Sequence, residues 1–234
     1  VMSCYQVKEQ PVRMVTGSQK SRIIGVYSPV GRCGKTAFAF TLGQDLSRSS
    51  KTLFLTLEEC CALSVLTGTE YEAGLSELLY YYRQGEYSHL RGVTYSWGEL
   101  DYVPPAEYPE DLAQMKGEEL ASLIDLIASE GLYETIVVDL GHFFWGTELF
   151  LSLCDVVYTP VQEDPVSLVK LEQWQKYIEV SGYGGLLERI RRIRLPYQKN
   201  LVQQGHYLGQ LLWGEMGDFV RSLTGRGESG KEEA

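Results

Sequence analysis

Apolar residues along the chain fall into short continuous runs that alternate with longer stretches of helical spacing. Ile23-Ile24-Gly25-Val26-Tyr27 is an apolar run that ends at a Gly- and Pro-containing loop, the pattern of a buried strand. From Thr36 to Leu46, Phe38, Phe40, Leu42 and Leu46 recur at helical spacing, so a helix is expected to open directly from that loop. Leu53 to Leu57 reads as a second buried strand, and Leu75 to Tyr82 as an amphipathic helix with Leu78, Leu79 and Tyr82 on one side. Leu100 to Val103 is a short strand that Pro104-Pro105 must end, because proline cannot donate to a ladder. Leu120, Leu123, Ile124 and Ile127 form an apolar stripe on a helix spanning Glu118 to Ser129. Strands at Thr135–Asp139, Cys154–Tyr158 and Ile190–Leu195 follow, with helices at Val166–Val180 and Tyr207–Leu223. Strands alternating with helices of this length predict an α/β protein, a mostly parallel sheet with helices on both faces.

Residues 1–21 are polar without a sustained apolar period and read as a linker or a helix stub; 22–224 form one domain; 225–234 are Gly- and charge-rich, expected to be disordered. The chain starts at Val1, which predicts that a longer parent was trimmed. At 234 residues, with 44% hydrophobic and 22% charged, it is long enough to bury a core of its own. No apolar run approaches the roughly 20 residues that cross a bilayer, and no secretory signal is evident. Five cysteines without C-x-x-C or Cys/His metal spacing predict reduced thiols and a cytoplasmic protein. A formal net charge of −10 opposes wholesale DNA binding, which needs clustered cations. The local basic run Arg189, Arg191, Arg192, Arg194 reads as a solvated face or an edge strand.

The chemistry sits in the loop Ser28-Pro29-Val30-Gly31-Arg32-Cys33-Gly34-Lys35-Thr36. Strand, glycine-containing loop, Gly-Lys-Thr, then helix is the context of a phosphate loop, although Pro29 stands where the motif wants its first glycine. Backbone N–H groups of Gly31, Arg32, Cys33, Gly34, Lys35, Thr36 and Ala37 would converge on phosphate oxygens at the positive end of the helix. Lys35 would reach the β- and γ-phosphates, and the Thr36 hydroxyl would ligate Mg²⁺. Asp139, at the end of a buried strand, would hold the same Mg²⁺ through its water shell; the alternative is a helix N-cap. Glu58 is either a carboxylate that orients the attacking water or a solvated loop acid. Asn200 is the only asparagine and lies in no N-K-x-D, so a guanine reader of that form is absent and ATP is the expected nucleotide. The expected fold is thus a three-layer α/β/α P-loop NTPase.

Together with Leu-Glu-Glu at 57–59, Val-Val-Asp-Leu-Gly at 137–141 and Val-Gln-Glu-Asp at 161–164, the loop resembles that of deviant-Walker-A ATPases, the MinD/ParA superfamily. The nearest branch by this resemblance is the TadZ/CpaE-like proteins of pilus assembly, and the likeness runs from about Ile23 to Leu223. Cys4 to Glu9 is similar to the segment that closes the receiver-like domain preceding the ATPase in that branch, which implies such a domain upstream. The resemblance implies an ATP- and Mg²⁺-dependent homodimer that recruits a pilus assembly or secretion machine, peripheral at most to the inner face of the membrane or the cell pole. Where the superfamily has its signature lysine this chain has Val30, and Arg32 replaces the second glycine. Weak hydrolysis is therefore expected, resting on Lys35, Glu58, Asp139 and Arg32. The Arg32 guanidinium either supplies the missing positive charge to a γ-phosphate or pairs with a surface acid. Other readings are a catalytically weak ATP-binding scaffold and a DNA-partition ATPase, the latter opposed by the acidic balance. Cys33 is a space-filler or an alkylation-sensitive gate, and His142 is structural or a proton carrier in a switch loop. The C-terminal helix, with Glu215, Asp218 and only Arg221 on its polar face, is expected to pack on the domain rather than on a membrane. Tyr80-Tyr81-Tyr82 suits a protein interface or a half-exposed helix.

Overall fold

A computed structural model describes residues 20–61, 63–141, 146–196 and 207–225. Its centre is a seven-stranded sheet: β1 (Arg22–Val26), β2 (Thr52–Thr56), β3 (Tyr95–Trp97), β4 (Leu100–Val103), β5 (Thr135–Asp139), β6 (Val156–Pro160) and β7 (Ile190–Ile193). The strand order is β3-β4-β2-β5-β1-β6-β7, and every pairing is parallel except β3 with β4. Successive strand residues face opposite layers, as the pleat requires. Ile23, Leu53, Leu55, Ile136 and Val138 pack under the helices of one face, here α3 (Leu75–Arg83), α5 (Gly117–Ser129) and α7 (Pro165–Val180). Ile24, Phe54 and Val137 point to the other face, under α1 (Lys35–Ser47), α8 (Tyr207–Trp213) and α9 (Glu215–Leu223). Two apolar cores separated by one sheet make the expected three-layer α/β/α architecture.

β5 lies between β1 and β2, so the segment that comes latest of the three occupies the middle. The register places Asp139 opposite Val26 on one side and Thr56 on the other. That single pairing pattern brings the loops after β1, β2 and β5 to the same carboxyl edge. Connections leave this centre in both directions, from β1 toward β2 and from β5 across to β6, and such crevices are where open α/β sheets take their ligands.

Three readings need correction, and one strand escaped the sequence. The strand read as Leu53 to Leu57 runs from Thr52 to Thr56, so Glu58 stands in the following loop. The strand read as Cys154–Tyr158 runs from Val156 to Pro160, because Cys154 is the last residue of a turn whose backbone N–H bonds Leu151. The C-terminal helix is two helices broken at Gly214, whose backbone is extended. β3 was not legible; it is a three-residue edge strand joined to β4 by a turn at Gly98, with the Trp97↔Leu100 pair closing the hairpin. The short helices α2 (Leu63–Thr67), α4 (Pro109–Ala113) and α6 (Thr147–Leu151) also carry too few residues for a visible period.

The C-terminal pair docks as expected: Leu208, Leu211, Met216 and Val220 are buried against the α1 layer, and the Phe219 ring meets Phe38 at 6.2 Å. Trp213 alone stands out at 73% exposure, with the Arg48 guanidinium 5.5 Å from its ring centroid. The basic run belongs to the β7 edge and the turn before it. Arg189 donates to the carbonyls of Ser152 and Cys154, Arg192 to Gln175, and Arg194 pairs with Glu163 at 2.9 Å. Its edge-strand reading holds. No helix among the described residues is long and apolar enough to cross a membrane. The expected linker and tail lie, apart from Lys20, Ser21 and Gly225, outside the described residues, as does His142.

A candidate nucleotide site at the carboxyl edge of the sheet

The loop between β1 and α1 is held from below by Ser28, whose hydroxyl donates to the Pro160 carbonyl at 2.7 Å and accepts from the Val30 N–H at 3.1 Å. The Cys33 thiol is buried and donates to the Val30 carbonyl at 3.2 Å, so it fills and ties the inside of the loop. The turn into α1 is made by Gly34 at φ 84°, a left-handed backbone that a glycine adopts without cost. Arg32 also sits at positive φ, 58°, the one non-glycine residue to do so among those described. An L-residue there costs about 1–2 kcal/mol, so the chain keeps an arginine where glycine would be easier. The Arg32 side chain is exposed, and among the described residues it forms no ion pair. No acid lies in the first turn of α1 itself.

Lys35, Thr36, Thr56, Glu58 and Asp139 come together at this edge. Lys35 is buried, at 7% exposure, although it is a lysine. The Thr36 hydroxyl donates to Glu58 Oε2 at 3.0 Å, and the Thr56 hydroxyl donates to Asp139 Oδ2 at 3.4 Å and accepts from the Glu58 N–H at 3.2 Å. Asp139 is fully buried and its Oδ1 has no hydrogen-bond partner. An orphaned carboxylate oxygen is costly in an apolar setting, and it marks a place that a water or cation would complete. Burial pushes the Asp139 carboxyl up to about 7, with the Glu58 charge adding and Thr36, Lys35 and Thr56 opposing. Asp139 caps no helix among the described residues: Leu140 and Gly141, which follow it, are not helical. Among the described residues no cluster of three or more His, Cys, Asp or Glu could hold a metal by itself.

Gly141 completes the arrangement. A Cβ there would lie 2.6 Å from Glu58 Cα, so the chain leaving β5 passes directly against the loop after β2. Its neighbour Leu140 is bonded through its N–H to the Val26 carbonyl, and the Leu57 N–H to the Asp139 carbonyl. Gly141→Ala is expected to destabilise the fold by about 1–3 kcal/mol, the usual cost of overpacking. Urea unfolding measures this, and an unchanged midpoint would show that the two loops are not packed as described. Asp-Leu-Gly was visible in the chain, but the contact with Glu58, 83 residues from Gly141, was not.

The fold has known counterparts. No family model matches the chain, and no curated protein matches it in sequence. Solved structures do match. A ParA family ATPase from Chlorobium tepidum TLS superposes with a TM-score of 0.64 at 17% identity, covering 89% of this chain and 90% of that one. MinD of Pyrococcus horikoshii OT3, complexed with Mg-ADP, gives 0.59 at 19% identity over 81% and 76% of the two chains. The MinC:MinD cell division complex of Aquifex aeolicus gives 0.58 at 16% identity over 84% and 79%. At these identities the likeness is one of fold: this chain has the three-layer α/β/α fold of the ParA/MinD P-loop ATPases.

Proposed function

We propose that the chain is an ATP-binding, MinD/ParA-like switch whose nucleotide sits on the loop after β1. The observation that carries this reading is the convergence of buried Lys35, Thr36 and Asp139, with its orphaned oxygen, beside a loop turned by left-handed residues 32 and 34. The backbone N–H groups from Gly31 to Ala37 would receive the phosphates, with Lys35 against the terminal ones. Thr36 and Asp139 would hold Mg²⁺, which neutralises phosphate charge when bound. Thr36 would offer Mg²⁺ an oxygen lone pair while its O–H goes on donating to Glu58 Oε2, leaving the other Glu58 oxygen to orient water. Arg32 supplies positive charge at the rim where the superfamily has lysine on the preceding turn. The Mg-ADP bound to the similar MinD fold supports the choice of ligands.

In the same reading the chain forms a nucleotide-dependent homodimer, acts from the cytoplasm and recruits a pilus assembly or secretion machine. The support is the sequence resemblance to TadZ/CpaE-like proteins; the MinC:MinD complex is a precedent for protein recruitment by this fold. A second reading, a scaffold that binds ATP with little turnover, is favoured by Val30 in place of the signature lysine. A DNA-partition role is opposed by the net charge of −10 and by the local pairing of the β7 arginines. Light scattering and phosphate release, each with and without Mg-ATP, separate the first two. Dimers formed on ATP and slow turnover abolished by Asp139→Ala support the switch. Tight binding without turnover or dimers supports the scaffold, and no binding overturns both.

A further inference from the structure

Next to the phosphate loop, on the side away from α1, lies an open cavity of about 780 Å³. That is within the size range of small-molecule sites. One end is formed by the loop itself, through Pro29, Val30, Gly31 and Lys35; the other is formed by α6 and α7 with Tyr27 at the base. Three aromatic rings wall the far end. Tyr27 and Trp174 are almost fully buried with ring centroids 5.0 Å apart, and Tyr177 stands at the rim. Between them is Glu148, on α6. Its Oε1 accepts from the Tyr177 hydroxyl at 3.2 Å, whereas Oε2 is buried without a hydrogen-bond partner.

α6 is positioned tightly. A Cβ on Gly117 would lie 2.6 Å from the Gly146 carbonyl oxygen, so the start of α6 packs directly against the start of α5. Glu148 is therefore held in place with one oxygen satisfied and one not. Nothing in the nucleotide site uses it: Lys35, Thr36, Glu58 and Asp139 make their contacts with one another and with Thr56. The Tyr27 hydroxyl is pushed well above its usual range by burial first and by the negative charge of Glu148 second, as expected if that charge lies close to the ring. A carboxylate with an unmet acceptor among electron-rich ring faces is the chemistry that recognises a cation with an apolar stem.

We propose that this cavity binds an organic cation, a guanidinium or ammonium group on an apolar stem, through Glu148 with Tyr27, Trp174 and Tyr177 as walls. Lys170 and Lys35 also border the cavity. Lys170 is exposed and its ammonium stays in solvent, while Lys35 opposes an incoming cation as long as its own charge is uncompensated. Phosphates bound on the loop would compensate it and add negative charge to the near wall. Cation and ATP should therefore bind with positive coupling, each favouring the other by the same factor. This coupling rests on the ATP reading; the Glu148 site does not.

The test is calorimetric titration of the full chain, with and without Mg-ATP. The probes are agmatine, acetyl-arginine amide in a short neutral peptide, and the same peptide with citrulline, the uncharged isostere of arginine. Saturable binding of the cations, at least tenfold weaker binding of the citrulline peptide, and a similar loss in Glu148→Gln are expected. Tyr177→Leu, at a partly exposed position, should weaken the cations several-fold as an independent variant. ATP affinity should be unchanged in both, which also reports that they fold. Tighter binding of agmatine than of the arginine peptide assigns a free small cation, and the reverse assigns an arginine side chain of a protein partner. Either supports the site. Equal binding of arginine and citrulline, indifference to Glu148→Gln, or no binding of either cation overturns it. Glu148-dependent binding that ATP leaves unaltered supports the cation site and overturns the coupling, whereas absence of ATP binding in the same titration counts against the ATP reading.

Discussion

Lys35→Ala is expected to weaken ATP binding at least a hundredfold, about 2.7 kcal/mol at about 1.4 per tenfold, while the protein remains folded. Hydrogen bonds to charged groups are each worth about 1.5–3 kcal/mol, and this ammonium would face two phosphates from a buried position. Burying a lysine at 7% exposure is costly without an anion to meet it. The nearby carboxylates of Asp139 and Glu58 answer that cost only in part, because Asp139 is itself pushed toward its neutral form. The neutral side chain left by the substitution removes a buried charge, so stability should change little. Equilibrium binding of labelled ATP by the variant, together with its thermal unfolding, checks both halves. ATP affinity that matches the unaltered protein would sink the nucleotide site as described.

Asp139→Asn should change how stability responds to pH. The Asp139 carboxyl is raised from the usual 3.8 to about 7, mainly by burial. Between about pH 4 and pH 7 the folded protein therefore holds a proton that the unfolded chain has released. Stability must fall as pH rises through that window, because the folded state binds more protons there, and it levels off above it. One group contributes at most about 1.4 kcal/mol per pH unit, so the decline relative to the Asn variant should amount to several kcal/mol by neutral pH. Urea unfolding of both proteins from pH 5 to pH 8, without nucleotide, measures the difference. Parallel stability curves would show that Asp139 is not the desolvated carboxylate described. With Mg-ATP present the ionised form gains a partner, so the unaltered protein should recover stability at pH 7 and the Asn variant should not.

These two residues also show what kind of information the chain carries. Lys35 was legible because its function depends on neighbours in sequence: an apolar strand, a glycine and a helix start stand within a dozen residues of it. Asp139 was legible as a polar residue ending the run Thr135–Asp139, and its pairing with β1 and β2 could be guessed only through the resemblance. Most strands and helices follow from short continuous apolar runs and from the 3.6-residue period, both of which are local. The break at Gly214 and the edge strand β3 escaped that reading. In the first, apolar spacing continues across a backbone that does not; in the second, three residues are too few to show a period.

What the sequence by itself determined is the alternation of strands and helices, the acidic balance and the Gly34-Lys35-Thr36 turn, since each is set by residues a few positions apart. Only the tertiary structure decided that β5 inserts between β1 and β2, and with that insertion came the rest. Asp139 is placed opposite Val26 and Thr56, Gly141 is laid against Glu58, and Glu148 is brought beside Tyr27 and Trp174. The physical reason is that strand order and helix seating are chosen by the burial of whole faces. No residue records in its own neighbourhood which distant face will cover it.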